Sequence, residues 1–173
     1  MSKKDIYIEK LRTLKDWDEY LKKESGLPGP RANLELLAAV VDLGGEQVFN
    51  KYLGYDLKKP DTNSKEVFLT VIGVVGLGKL ISIGKKEYLE TLKTYASDSR
   101  WRVREAVAMA LQRVGDQDIN LLIGKMKRWA VGNLYEKRAA IAALCEPRLL
   151  NDMFIVNEVL EILNQVTEEI KEV

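Results

Sequence analysis

The stretch "DSRWRVREAVAMALQRVGD", residues 98–116, decides how this chain folds. Val107, Ala110, Leu111 and Val114 recur at i, i+3, i+4 and i+7, which is one face of an α-helix and neither face of a strand. The small residues Ala106 and Ala110 let a second helix come close. Four arginines (Arg100, Arg102, Arg104, Arg113) and Trp101 lie off that stripe. A helix that only needs to pack has no use for them, so they are candidates for a surface with a task.

The same period extends outward in both directions. It predicts helices over 4–14 and 16–24, the second with Asp16 as its N-cap. "SGLPGPR" (25–31) reads as a turn, with Pro30 at the first position of a new helix. That helix covers 32–45 and stops at glycines. A short helix fits 45–56, and "LKKPDTNSK" (57–65) is a loop. A helix starting from a Ser64 cap follows, and its apolar run 67–84, with four glycines and Lys79, reads as a buried core helix containing a break. Further helices are expected at 85–97, 99–114, 118–131, 134–145 and 151–172. No alternating strand pattern occurs.

At 173 residues and 46% hydrophobic, the chain is long and apolar enough for one packed domain, 1–173. The N-terminus is charged throughout and carries no apolar leader, so a cytoplasmic protein without a membrane segment is expected. The single Cys145 permits no intrachain disulfide. There are no histidines, which excludes Ser-His triads, His metal ligands and the usual neutral-pH base. "GVVGLGK" (73–79) lacks the spacing and Ser/Thr of a phosphate loop and reads as helix punctuation. No cofactor or metal is implied.

An internal period emerges at an offset of 34. Arg104 then aligns with Arg138, Ala106 with Ala140, Val107 with Ile141, Ala110 with Leu144 and Leu111 with Cys145. Each of these helices has another before it, giving clear repeats at 85–115 and 118–146. Helix pairs at a spacing of thirty-odd residues stack into a continuous core.

"D-S-R-W-R-V-R-E-A-V-A-M-A-L" resembles the second helix of a HEAT repeat through Asp98, Val103, Arg104, Ala106, Ala110 and Leu111. "YEKRAAIAAL" (135–144) is similar, with Lys137 where valine is usual. "LPGPRANLELL" resembles uncharacterised prokaryotic HEAT-repeat proteins. The resemblance implies an all-α, HEAT-like right-handed superhelix of about four or five antiparallel helix pairs, with each second helix lining a concave side. It also implies a structural ladder for Asp98, Arg104 and Arg138.

Seven of the nine arginines lie between 100 and 148. Residues 100–138 carry nine basic against four acidic side chains, and 149–173 one basic against six acidic. The basic region suits an acidic protein segment or a nucleic-acid backbone. The acidic C-terminal helix, 151–172, is a candidate mask over it. The expected function is a non-enzymatic binding or scaffold module, with a protein partner first and nucleic acid second. Arg100, Trp101, Arg102, Glu105 and Arg138 are its candidate binding residues.

Trp101 and Glu105 share a helix face, and Arg138 follows one repeat later. That trio resembles the HEAT-like alkylpurine DNA glycosylases, which place a Trp, an Asp and an Arg on adjacent concave helices. Glutamate stands here in place of aspartate. The resemblance implies an alternative, a DNA-binding protein in which Glu105 stabilises a developing cationic sugar.

Overall fold

The computed structural model describes residues 2–168, apart from the side chains of residues 57 and 58. The last part of the expected C-terminal helix, 169–172, lies outside them. Among the described residues the chain is all-α, with ten α-helices, two short 3-10 turns and no strand. The helices are α1 (Lys3–Thr13), α2 (Asp18–Glu24), α3 (Leu34–Leu43), α4 (Glu46–Gly54), α5 (Val67–Ser82), α6 (Tyr88–Ala96), α7 (Trp101–Gln117), α8 (Ile119–Trp129), α9 (Leu134–Leu144) and α10 (Met153–Glu168). None is long and apolar enough to cross a membrane.

At the centre α5 is buried round almost its whole circumference, and α3, α4, α6 and α7 pack on it. Next along, α7 lies between α5 and α9, with α6 and α8 also against it. The last helix, α10, sets Ile155, Val159, Ile162 and Val166 toward α8 and α9. This spacing of four, three and four residues is the helical stripe expected of an end helix with one face covered.

Five expectations need correction. The apolar run 67–84 contains no break, because α5 runs unbroken to Ser82. Its glycines make room instead. A Cβ on Gly76 would lie 2.3 Å from the Phe49 ring, and one on Gly78 would lie 2.3 Å from the Ala110 carbonyl oxygen. The close approach foreseen for Ala110 is thus made to Gly78. Nor does Lys79 interrupt the core. Its Nζ donates to the carbonyls of Val41 (3.0 Å), Asp42 (2.7 Å) and Gly44 (2.9 Å), which end α3. A cation there satisfies orphan carbonyls and meets the negative end of the helix dipole.

Pro30 does not open a helix, since α3 starts at Leu34 behind an Asn33 cap. Asn33 Oδ1 accepts the Leu36 N–H, while its Nδ2 donates to the Glu24 carbonyl and the Tyr7 hydroxyl. One amide therefore caps α3 and ties α1 and α2 to it. Asp16 is not the cap of α2; it pairs with Lys51, and Trp17 holds the cap position.

Equivalent positions of α7 and α9 lie 33 rather than 34 residues apart. Arg100 and Asn133 hold the N-cap positions of α7 and α9. Ala106, Val107, Ala110 and Leu111 are buried, and so are Ala139, Ala140, Ala143 and Leu144. The offset of 34 would set buried Leu111 against exposed Cys145. The alanine-rich segment of α9 tolerates a one-residue slip in pattern, and the two arginines favoured the wrong one.

Candidate functional site

A groove of about 290 Å³ opens between α3 and α7. Its floor is apolar: Leu27, Leu37, and Phe68 with Val71 from α5. Ala32 and Leu34 form one wall, and Trp101, Arg102, Glu105 and Met109 form the other. The wall residues of α7 follow from helical spacing, since Trp101, Glu105 and Met109 are four apart and stack on one face. Pro30 and Arg31 lie at the lip. Trp101, at the first position of α7, remains 44% exposed.

Two buried arginines hold this groove in shape. Arg100, 7% exposed, turns away from it. It grips Asp98 with two bonds of 2.8 and 2.7 Å, pairs with Asp56, and donates to the Pro60 carbonyl. The loop after α4 is thereby pinned to the start of α7. Burial pushes the Asp98 carboxyl up, but the Arg100 hydrogen bonds outweigh it and leave the group below its ordinary value. Arg100 is thus a clamp within the fold, and its guanidinium is not presented to a partner.

Arg102, also 7% exposed, does line the groove. Its Nη2 donates to the Gly29 carbonyl at 2.6 Å and to Asn63 Oδ1 at 3.1 Å. Asn63 Oδ1 accepts from the Gly29 N–H as well. The guanidinium lies 4.4 Å from the centre of the Trp101 ring, a cation–π contact that orients the indole. Its Nε is buried and has no hydrogen-bond partner.

Glu105 and Arg138 pair with each other at the edge of the groove, both about half exposed. Of the five candidate residues, Trp101, Arg102 and Glu105 therefore line one groove, Arg138 reaches it through Glu105, and Arg100 faces inward. Arg104 donates to the carbonyls of Asp98 (2.7 Å) and Ser99 (2.9 Å) and lies over the Tyr135 ring. Its bonds hold the turn into α7. Trp129 is buried, and Trp17 packs against the core with its Nε1 donating to the Leu11 carbonyl.

A second cavity of about 390 Å³ continues along α7, and Met109 lines both. Its walls carry charge pairs: Lys4 and Arg113 on Asp42 (2.9 and 3.2 Å), and Arg148 on Asp116 (2.8 Å). Burial raises the Asp42 carboxyl, while hydrogen bonding and charge from Lys4 and Arg113 bring it below its usual value. Gln112 also lines this cavity and donates to the Ala142 carbonyl of α9.

Four of the nine basic side chains of 100–138 are held in ion pairs. Arg100, Arg113, Lys127 and Arg138 each pair with a carboxylate, and Arg102 and Arg104 hold carbonyls. Lys127 pairs with Glu158, which fastens α10 to α8. No α10 residue lines either cavity among the described residues, so the C-terminal helix does not cover the groove there. Among the described residues no cluster of three or more Cys, Asp or Glu is arranged to hold a metal.

The chain matches no known family, characterised protein or solved structure.

Several groove residues carried no signal in the sequence. Phe68 and Val71 look like any core residue of α5. Leu34 and Leu37 fit the apolar stripe of α3. Arg31 sits in a turn whose glycines and prolines draw attention away from it. Only the meeting of α3 with α7 across α5 gives them a common task.

Proposed function

We propose that this protein is a cytoplasmic, non-enzymatic binding module whose groove along α7 receives a segment of a protein partner. We further propose that its helix pairs, α4 with α5, α6 with α7 and α8 with α9, form a HEAT-like right-handed superhelix. The sequential packing of α5, α7 and α9, and the repeat of 33 between α7 and α9, support that fold. The observation that carries the binding reading is the exposed Trp101 at the mouth of an apolar groove. An indole edge set beside an apolar groove combines the aromatic anchor and the pocket that binding hot spots favour. The pairing of Arg100, Arg113, Lys127 and Arg138 with carboxylates favours a polypeptide over a phosphate backbone, whose affinity rests on many unpaired positive charges.

The test is binding of a fluorescent random-sequence peptide pool, read by anisotropy. The reading expects measurable affinity that falls about tenfold in Trp101→Ala and in Leu34→Glu. Binding unchanged by either substitution overturns it.

A second reading, a DNA-binding protein related to the alkylpurine glycosylases, is favoured by the meeting of Trp101, Glu105 and Arg138 around one groove. It expects duplex DNA binding with a steep salt dependence, about −0.9 in slope per phosphate contacted. It also expects release of a methylated purine, abolished by Glu105→Gln while DNA binding persists.

A further inference from the structure

The groove has a charge imbalance. Arg31 and Arg102 are the cations that line it, and neither has a carboxylate partner among the described residues. Its one carboxylate, Glu105, is taken by Arg138. Arg102 is the buried one. A guanidinium withdrawn from water normally meets a carboxylate, as Arg100 does. Arg102 meets only a carbonyl, an amide oxygen and an indole face, and its Nε is left without a bond. It lies in the first turn of α7, where the helix dipole adds further positive potential. Directly beside this charge is the apolar floor of Phe68, Val71 and Leu37. A site of this chemistry suits an anionic group borne on an apolar body.

The second cavity indicates what that body belongs to. A free acid needs only the first cavity. The trough instead runs on past Met109 to Gln112, Arg113 and Asp116. From Trp101 to Asp116 the helix spans about 22 Å, the length of about six or seven extended residues. The far part is lined by polar side chains and satisfied ion pairs, which suits the backbone and polar side chains of a chain lying along it.

We propose that the groove captures the C-terminal residue of a partner polypeptide, with its apolar side chain on Phe68 and Val71 and its free carboxylate against Arg102. The upstream residues then lie along α7 toward Asp116. This rests on the reading of the groove as a peptide-binding surface and adds the direction of the chain and the group recognised. Arg31 at the lip steers the carboxylate inward.

The experiment uses labelled peptide pools of about eight residues, randomised except for a terminal Phe, Leu or Trp. Each pool is made as the free acid and as the carboxamide. Anisotropy should show the acid binding about tenfold tighter, as expected for a charge-assisted bond to guanidinium. Arg102→Gln should erase that difference, read as the acid-to-amide affinity ratio within the variant, while Arg102→Lys keeps part of it. Equal affinity of acid and amide in the unmodified protein overturns carboxylate capture but leaves peptide binding in the groove standing. Absence of binding by either form overturns both. Competition by 3-phenylpropionate as effective as by the peptide acids assigns the site to free acids and overturns the C-terminal assignment.

Discussion

Glu105 and Arg138 stand at equivalent positions of α7 and α9, 33 residues apart in the chain, and pair across the seam between those two helices. Among the described residues the pairing uses the only carboxylate that lines the groove and leaves Arg102 without a counterion. It also separates the two functional readings, because a glutamate engaged in an exposed ion pair is not held in the dry setting that catalysis on a base would require.

Glu105→Gln should therefore have little effect. An exposed pair contributes about 0–1 kcal/mol, so thermal unfolding should shift by no more than about 4 °C. Peptide affinity should stay within about twofold. Loss of a purine-releasing activity in this variant would instead support the glycosylase-related reading.

Arg100→Ala should be far more damaging. It removes the guanidinium partner of Asp98, leaves Asp56 with Lys59 alone and frees the loop after α4, at a cost of about 3 kcal/mol. The pH dependence provides a second check. Asp98 in the fold lies below its ordinary value of 3.8, so its contribution to stability is present above that value and is lost as pH falls below it. Denaturation midpoints of the unmodified protein should fall through that acid range. The fall should be shallower in Arg100→Ala.

Glycines should divide by their surroundings. Gly78→Val drives a side chain into the Ala110 backbone, which cannot move aside, and should cost about 3 kcal/mol. Gly124, within α8, has nothing within 4 Å of an added Cβ. Gly124→Ala should therefore stabilise by about 1 kcal/mol through helix propensity. Equal effects in chemical denaturation would contradict the packing described for α5 and α7.

Lys79→Met should cost about 2 kcal/mol, since three carbonyls at the end of α3 lose their donor together. The same loss loosens the α3 wall of the groove. Peptide affinity should fall even though Lys79 does not line the groove.

The helices were legible in the sequence because their apolar stripes are local. The stripe of α7 and the start of α8 stand where periodicity puts them. What escaped was set by partners distant in the chain. Gly76 and Gly78 looked like a break until Phe49 and Ala110 came against them. Lys79 looked like an interruption until the end of α3 met it. Trp101, Arg102, Glu105 and Arg138 were legible as a group, because their spacing on α7 and α9 survives a one-residue error of register. The roles of Arg100 and Arg102 were not. The two arginines stand two residues apart in the chain, and only the acidic loop around Asp56 makes one a clamp and leaves the other charged and uncompensated.

The most direct test of the groove follows the three tryptophan indole N–H signals in a 15N-labelled sample titrated with the random peptide pool. Trp17 and Trp129 are internal controls, one bonded to the Leu11 carbonyl and the other buried. The account predicts that the Trp101 indole moves, together with the amides of Glu105 and Met109, while the other two indoles stay in place. An unmoved Trp101 signal under saturating peptide would contradict it.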